Sequence, residues 1–559
     1  MNSSYIDSVS IHSYLNQYTI PSFSLVNRFQ ERALGNSLAR TWDRVSVLGN
    51  NSDYGHAGCV NALHWAYGGE LLLSAGDDTT VQIWKMDPTN TSNDYPFVCR
   101  TVIHTGHKAN IFNTAMLPHS NRIVTVAGDK QVRVFDVGDN RGLSVLGQNV
   151  RQEYYASQLK THTLRCHEDR VKRIATEESP DRFLTVSEDG TVRQHDLRTP
   201  HVCRNHCPAP LLQVHHELST LTTSSYYCIV AGDSPYGYLF DRRFTGRERN
   251  VKAEGIVPCV RRFGRAKQRK TGRYSRDHIT GARMSAENGH EVLLSYSADG
   301  VYLFSTLDDP EASGSSASSS SSSIVSPNSK RRRVSLDSRS TSSSATSSPP
   351  PEDTAMEIDD RSAHVQQWDG NEGEGEGEIE NEDEEENDKS EEDDEKSLTE
   401  EESQGFYPWV DVVKPRRRFF GARNVETVKD VNFLGPRDEY VTSGSDDGNF
   451  FVWHKSTGKL HGIYEGDGSV VNVIEAHPYL PLVAVSGIDH TVKLFAPIDV
   501  NRKSAFSRMS NAESIMKANR KGSRSRGIRR IDLMNLLASF RASNTNGEDN
   551  NPTADCVNQ

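Results

Sequence analysis

Residues Gly55–Trp84 read GHAGCVNALHWAYGGELLLSAGDDTTVQIW, and they carry the strongest structural signal in the chain. Two later stretches follow the same plan: GHKANIFNTAMLPHSNRIVTVAGDKQVRVF ends at Phe135, and CHEDRVKRIATEESPDRFLTVSEDGTVRQH ends at His195. In all three, an aspartate follows the leading histidine by 22 positions and a ring-bearing residue follows it by 28. Such a fixed register indicates one supersecondary unit that is copied along the chain.

The second half of this unit recurs four more times with looser spacing, as VAGDSPYGYLF, LLSYSADGVYLF, SGSDDGNFFVW and SGIDHTVKLF. Apolar residues that alternate with polar ones between turn residues predict short strands. Seven ring-bearing residues therefore mark the ends of seven units: Trp84, Phe135, His195, Phe240, Phe304, Trp453 and Phe495.

This pattern resembles the WD-repeat family, in which each repeat forms a four-stranded blade and seven blades close a ring. The resemblance implies an all-β, seven-bladed WD-repeat β-propeller, in which neighbouring blades cover each other's faces and few strand edges stay open. It also implies hydrogen-bonded tetrads, which we interpret as structural and not catalytic because buried histidine and aspartate need partners. The expected members are His56, Ser74, Asp78 and Trp84; His107, Thr125 and Asp129; His167, Thr185 and Asp189; and Ser443, Asp447 and Trp453.

A segment of different composition interrupts the repeats after Phe304. Nine of the eleven residues from Ser313 to Ser323 are serines, and residues 371–402 carry 19 acidic residues and two lysines. That net charge of −17 compares with −12 for the whole chain, so the remainder is mildly basic at +5. Such a segment buries too little apolar surface to offset its chain entropy. We predict a long disordered Ser-rich and acidic insert over residues 308–405, which separates blades 1–5 (residues 44–307) from blades 6–7 (residues 406–497).

The insert contains a basic run, Lys330, Arg331, Arg332 and Arg333. One hypothesis is a nuclear import signal, and the alternative is an ordinary solvated charge run. We expect a protein that is both nuclear and cytoplasmic. Because the chain has no run of about 18 apolar residues, we expect no membrane partner.

Short helices are predicted on both flanks of the propeller. In residues 1–43, the stretch from Ser22 to Gly35 has an apolar helical face, and Gly35 is a suitable stop. In residues 498–559, a basic tail precedes an amphipathic helix whose apolar positions are Leu533, Leu536, Leu537 and Phe540.

Two units end with the same pair of charged residues. Asp196 and Arg198 follow the ring residue of the third unit, and Asp241 and Arg243 follow that of the fourth, so both pairs belong on one rim of the ring. An arginine there can offer its planar fork to a carboxylate or carbonyl of a partner. The endings resemble the Asp-x-Arg ending of the DCAF family, WD-repeat proteins that serve cullin-4 ubiquitin ligases. The stretches RFQERALG, GIVPCVRRF and LMNLLASF are also similar to the branch of that family with a large insert before the last two blades.

The resemblance implies a substrate-recognition subunit of a cullin-4 RING E3 ubiquitin ligase. It would dock on the DDB adaptor through Asp196, Arg198, Asp241 and Arg243, and through Leu25, Phe29 and Leu34 of the N-terminal helix. Its other partners would be protein substrates. Ubiquitin chemistry would belong to other subunits, so we expect no enzyme and no cofactor. The alternative is a chromatin- or transcription-associated scaffold that works independently of a ligase.

Two further features were weighed as binding sites. His201, Cys203, His206 and Cys207, followed by His215 and His216, could supply zinc ligands, but a second close cysteine pair is missing. We therefore favour thiols in a loop and predict no metal. Residues 261–276 hold eight basic residues and no acidic one, but few aromatic residues lie between them, so we do not expect direct nucleic-acid binding.

Overall fold

The computed structural model describes residues 23–50, 55–87, 89–91, 93–138, 151–199, 201, 203, 207–244, 258–265, 278–310 and 407–523, with only the backbone for 23–27. In these ranges the strands form seven sheets, each with four or five strands. The innermost strands of neighbouring sheets contact one another around a central channel. The prediction of an all-β, seven-bladed WD-repeat β-propeller is confirmed.

Each sheet is one blade, and the strands of the first four blades are given from the innermost outward. Blade 1 has β2 (Val60–Ala66), β3 (Leu71–Gly76), β4 (Thr80–Met86), β5 (Phe97–His104) and β9 (Gln152–Tyr155). Blade 2 has β6 (Ile111–Met116), β7 (Arg122–Ala127), β8 (Val132–Asp136) and β10 (Lys160–Leu164). Blade 3 has β11 (Val171–Thr176), β12 (Arg182–Ser187), β13 (Thr191–Asp196) and β14 (Leu212–Gln213). Blade 4 has β15 (Leu218–Ser224), β16 (Tyr227–Gly232), β17 (Gly237–Asp241), β18 (Arg261–Phe263) and β22 (Val412–Val413).

The last three blades follow the same plan. Blade 5 has β19 (Ile279–Met284), β20 (Glu291–Tyr296), β21 (Val301–Ser305) and β23 (Arg417–Phe419). Blade 6 has β24 (Val431–Leu434), β25 (Tyr440–Gly444), β26 (Asn449–His454) and β27 (Leu460–Glu465). Blade 7 has β28 (Val471–Ala476), β29 (Val483–Gly487), β30 (Val492–Pro497) and, outermost, β1 (Trp42–Leu48).

Ring closure joins the two ends of the propeller. β1 pairs antiparallel with β30, with Trp42 opposite Pro497 and Leu48 opposite Val492. The first strand of the described residues is therefore the outer strand of the last blade, and it covers the edge that β30 would otherwise expose. The sequence analysis assigned residues 44–307 to blades 1–5. Residues 44–48 instead belong to blade 7.

The placement of the insert differs from the prediction. β23 follows the insert and pairs with β21, with Val301 opposite Phe419, so it completes blade 5. β22 also follows the insert, and it adds a parallel strand to blade 4 with Arg262 opposite Val412. The insert thus interrupts blade 5 instead of separating it from blade 6. The pattern missed this because the short outer strands carry no repeat residue. Residues 311–406, with Lys330–Arg333 among them, lie outside the described residues.

The core lies between the blades. The ring residues that end the third strands are buried to 2% exposure or less, except His195 at 4%. One cluster spans blades 7 and 1 and includes Trp84, Leu494 and Val60, and another spans blades 1 and 2 and includes Phe135 and Ile83. Each blade buries its apolar faces against its neighbours, as expected for a repeat that cannot cover them alone.

Two helices flank the blades. α1 (Phe23–Leu38) continues through Gly35, so the expected stop there is wrong. α2 (Ala512–Gly522) was not predicted, and it packs Ala512, Ile515 and Met516 against the blade 6 core. The predicted helix around Leu533–Phe540 lies outside the described residues. Neither helix has the length and apolar composition needed to cross a bilayer, and this holds for the described residues only.

Candidate protein-interaction surface

The blades place their connections at two ends of the propeller. Because successive strands are antiparallel, the first-to-second and third-to-fourth connections of each blade share one end, which we call the rim face. The opposite end, with the second-to-third turns, is called the tetrad face. Contacts between neighbouring blades hold the rim face together: Tyr67 with Asn121, Arg122 with Asp181, Arg242 with Glu177, Ser285 with Asp438, and His477 with Gly69.

The first blade brings its predicted tetrad together. His56 Nδ1 lies 2.8 Å from Asp78 Oδ2, His56 Nε2 lies 2.7 Å from Ser74 Oγ, and Trp84 Nε1 lies 2.8 Å from that same oxygen. An indole N–H only donates and a carboxylate only accepts, so Trp84 donates to Ser74, Ser74 to His56, and His56 to Asp78. Every member of the tetrad is engaged in these hydrogen bonds, which supports a structural role.

The Asp78 carboxylate is also held by the backbone. It accepts the N–H groups of Ala57 and Thr80 at 3.1 Å and 3.0 Å. Burial by itself raises the pKa of Asp78, but the charge and hydrogen bond of His56 and the two amides outweigh burial, and the pKa lies below its usual value. The carboxylate therefore stays ionised and pins the turn.

The third blade holds an equivalent chain in which His195 replaces tryptophan. His167 lies 2.9 Å from Asp189 and 2.7 Å from Thr185, and Thr185 Oγ1 lies 2.8 Å from His195 Nε2. Burial, followed by the charges of His167 and Arg193, lowers the pKa of His195 to about 3. Its ring is therefore neutral, and its Nε2–H donates to Thr185 as an indole would.

The second blade has three of the four members. His107 lies 3.0 Å from Asp129 and 2.8 Å from Thr125, while the buried ring of Phe135 fills the remaining place without a donor. Burial lowers the pKa of His107 even though Asp129 acts in the opposite direction.

In the sixth blade the predicted members do not form a tetrad. Ser443 Oγ donates to the carbonyl of Gly444, and Trp453 Nε1 donates to the carbonyl of Phe420. The sequence has no histidine there, and Asn519 of α2 takes its place: its Nδ2 lies 2.8 Å from Asp447 Oδ2. The repeat pattern could not show this contact, because 72 residues separate Asn519 from Asp447.

The first rim arginine is exposed and internally paired. Arg198 donates from Nε and Nη2 to the two carboxylate oxygens of Asp196 at 2.9 Å and 2.6 Å, and 62% of its side chain is exposed. The hydrogen bond from Arg198 lowers the pKa of Asp196 to about 2. The carboxylate of Asp196 is therefore ionised at neutral pH, and it orients the arginine fork toward solvent.

The second rim arginine repeats this geometry beside aromatic rings. Arg243 donates from Nε and Nη2 to Asp241, and 51% of its side chain is exposed. Its guanidinium lies 4.7 Å from the ring centroid of Tyr226 and 5.8 Å from that of Phe244. Tyr226 and Phe244 are 58% and 63% exposed. We call Arg198, Tyr226, Arg243 and Phe244 the rim patch.

The sequence analysis did not single out the two aromatic members of the rim patch. Phe244 directly follows Arg243, so an exposed aromatic after the Asp-x-Arg ending was a signal that could have been used. Aromatic residues and arginine are enriched at the centre of protein interfaces, which is exposed in the free protein and buried in the complex.

Ion pairs connect blades 3 and 4 beside the two arginine pairs. Glu177, in a turn of blade 3, pairs with Arg182 of the same blade and with Arg242 of blade 4. Arg182 lies opposite Asp196 in the sheet, and Arg242 is next to Arg243. The two arginine forks therefore lie beside a set of ion pairs that spans the two blades.

The N-terminal helix shares the rim face. Trp42 Nε1 donates to the carbonyl of Leu38 at 3.0 Å, and the Trp42 ring stacks on Tyr464. Leu34 packs against this cluster, so it anchors the helix to the propeller, whereas Phe29 is 70% exposed. The side chain of Leu25 lies outside the described residues. Of the two predicted contact residues whose side chains are described, Phe29 is the exposed one.

The central channel is obstructed. Arg173 of blade 3 pairs across it with Asp430, next to blade 6, and Arg283 of blade 5 lies 3.5 Å from Glu475 of blade 7. A cavity of about 40 Å³, lined by residues that include Asn61, Phe112 and Asn472, has room for one or two waters.

The start of the basic stretch is engaged within the propeller. Arg262 is 5% exposed and donates to the carbonyls of Pro408 and Val410. Arg265 pairs with Asp299 and lies 4.6 Å from the ring centroid of Tyr296. These two arginines are committed to folding contacts. Residues 266–277 lie outside the described residues.

The fold and its tetrads define the class: the chain is a WD-repeat β-propeller. A family model described as "WD domain, G-beta repeat" matches residues 50–85, 98–136 and 158–196, which cover the first three blades. Together with the Asp-x-Arg endings, the comparison with curated proteins supports a WD-repeat propeller that resembles the DCAF family.

Three curated proteins match part of the chain. The chain is 34% identical over 273 residues to WD repeat protein iqw1 of Schizosaccharomyces pombe, covering 46% of this chain and 32% of the relative. It is 32% identical over 281 residues to Protein ALTERED SEED GERMINATION 2 of Arabidopsis thaliana, covering 45% and 34%. It is 32% identical over 263 residues to human DDB1- and CUL4-associated factor 6, covering 45% and 27%. The matched region spans about a third or less of each relative's length.

Proposed function

We propose that this protein is the substrate-recognition subunit of a cullin-4 RING ubiquitin ligase and that it docks on the DDB1 adaptor through its rim face. The observation that carries the proposal is the pair of Asp-x-Arg endings on adjacent blades, each with an exposed, oriented fork. The name of the human relative, DDB1- and CUL4-associated factor 6, supports the same reading.

The rim patch has the chemistry that an adaptor interface needs. Pre-orientation by Asp196 and Asp241 lowers the entropy cost of fixing the forks in a complex. Each fork uses two of its five N–H groups on its own aspartate, which leaves donors for carboxylates or carbonyls of the adaptor. The exposed rings of Tyr226 and Phe244 add apolar area to bury. Phe29 on α1 provides a second contact on the same face.

Substrate then belongs on the tetrad face. The obstructed channel provides no route through the ring, and the adaptor would cover the rim face. In this arrangement the propeller is a non-catalytic receptor, and the ubiquitin transfer chemistry belongs to other subunits. The protein would act in both nucleus and cytoplasm.

The test is the double variant Arg198→Ala and Arg243→Ala in the full chain, titrated against purified adaptor. We expect binding to weaken by about thirty-fold or more, as for interface hot spots. Both arginine side chains are more than half exposed in the free protein. Loss of their ion pairs, and of the contact of Arg243 with exposed aromatic rings, should therefore change the melting temperature by less than about 2 °C.

The matched control is Arg170→Ala. Arg170 pairs with Glu188 on the tetrad face of the same blade that carries Arg198, and its loss should leave adaptor binding unchanged. Full binding by a folded double variant would remove these arginines from the interface. Absence of adaptor binding by the unmodified chain would reject the receptor function and favour a scaffold that works independently of a ligase.

A further inference from the structure

Four metal-ligating side chains converge beside blade 3. Cys166 lies in the connection between β10 and β11, and His201, Cys203 and Cys207 lie in the connection between β13 and β14. Their ligand atoms all lie within 4.8 Å of one another. The sequence analysis had considered three of these residues but not Cys166, which precedes His201 by 35 positions.

The distances are close to those of a tetrahedral zinc site. Cys166 Sγ lies 3.6 Å from Cys203 Sγ, and His201 Nε2 lies 3.1 Å and 3.2 Å from these two sulfurs. Zn–S bonds of about 2.3 Å and Zn–N bonds of about 2.1 Å at tetrahedral angles separate ligand atoms by roughly 3.6–3.8 Å. A disulfide would instead need an S–S distance of about 2.05 Å. The four ligand atoms are therefore close enough together to share one ion.

Hydrogen bonding among the thiols does not explain this convergence well. Thiols are weak donors and acceptors, so three of them and one imidazole gain little from mutual contact. A bound cation accounts for the convergence, because it stabilises thiolates directly.

We propose that Cys166, His201, Cys203 and Cys207 bind one structural Zn²⁺ ion. Three cysteines and one histidine complete the four-coordinate shell and leave no position for substrate, which is the pattern of structural and not catalytic zinc. The backbone N–H of Arg165 lies 3.4 Å from Cys203 Sγ, a second-shell contact of the kind that orients a ligand.

The ion would tie the long connection that follows Arg198 to the junction of blades 2 and 3. In its described part, that connection pairs with β13 through the two-residue strand β14. His215 and His216 are not members of the cluster, and the ring of His216 lies 5.4 Å from that of Tyr238. His206 lies outside the described residues.

The experiment measures metal in the full-length protein. After expression with supplemented zinc and extensive dialysis, elemental analysis should find about one zinc per chain. Replacement by Co²⁺ should give the intense visible bands of tetrahedral thiolate coordination. Cys203→Ser should lower the zinc content at least about tenfold and abolish these bands. The matched control, Cys259→Ser, changes a buried cysteine whose Sγ donates to the carbonyl of Arg261, and it should keep both signals.

Three outcomes would overturn the site. The first is less than about 0.1 zinc per unmodified chain together with no Co²⁺ bands, a result that does not depend on any variant folding. The second is a disulfide between Cys166 and Cys203, found by mass spectrometry under non-reducing conditions. The third is loss of metal in His206→Asn but retention in His201→Asn, which would replace the proposed histidine ligand.

Discussion

His477 is expected to make ring closure sensitive to acid. It lies in the first turn of blade 7, where its Nδ1 accepts the N–H groups of Tyr479 and Leu480 at 3.0 Å and 2.9 Å. Its Nε2–H donates to the carbonyl of Gly69 in blade 1 at 3.1 Å. A proton on Nδ1 would face two donors, so the folded protein requires the neutral ring. Burial lowers the pKa of His477 to about 4.

The sign and size of the effect follow from linkage. The pKa of histidine in the unfolded chain is about 6.5, so between pH 6.5 and pH 4 the unfolded state binds the proton and the folded state does not. The contribution of His477 is therefore complete above pH 6.5 and is lost as the pH falls. At pH 5, 1.5 units below 6.5, the loss is about 2 kcal/mol, at about 1.4 kcal/mol per unit.

The variant His477→Asn tests this reasoning. The asparagine oxygen can accept the same two turn N–H groups, but the bond to Gly69 and the titration are lost. At pH 7.5 we expect the variant to be less stable by about 1–2 kcal/mol, from the lost bond and ring packing. At pH 5 the two proteins should become nearly equal. Urea unfolding of the full chain at both pH values measures the difference.

The matched control is His490→Asn, which changes an exposed histidine of the same blade. Its free energy of unfolding should differ from that of the unmodified protein by the same amount at pH 7.5 and pH 5. If His477→Asn differs from the unmodified protein by the same free energy at pH 7.5 and pH 5, the buried neutral ring is not the source of acid sensitivity.

Four further outcomes are expected. Asp78→Ala should lower the free energy of unfolding by about 1–3 kcal/mol, because His56 and two amides lose their acceptor; an unchanged urea midpoint would contradict the tetrad. Asn519→Ala should cost about 1–2 kcal/mol in the same assay, because both bonds from its Nδ2, to Asp447 and to the carbonyl of Gly421, disappear; an unaltered stability would show that α2 does not brace blade 6. Replacement of residues 311–403 by a short Gly-Ser linker should preserve cooperative unfolding, and aggregation of that protein would count against a dispensable insert. Alanine at Lys330–Arg333 should shift a fluorescent fusion toward the cytoplasm, and an unchanged nuclear fraction would reject the import hypothesis.

The propeller class and much of the rim could be predicted from sequence. A turn, two strands and the residues that pin them lie within about 30 positions, so their spacing repeats along the sequence and is strict in the first three copies. His56, Asp78 and Trp84 were identified on that basis. The arginines of the Asp-x-Arg endings were located on one rim by the same logic, since each follows the end of a third strand.

Only the tertiary structure decided which distant segments meet. It placed β23 in blade 5 across the insert, brought Asn519 to Asp447 and put Tyr226 under Arg243. It also brought Cys166 together with the cysteines of the connection between β13 and β14. These contacts join residues that lie on different strands, loops or helices, and no local periodicity records such a pairing. The short outer strands show this limit most clearly. Arg417–Phe419 form a strand because they pair with the edge of β21. The free energy that holds them comes from that neighbouring strand and not from their own sequence.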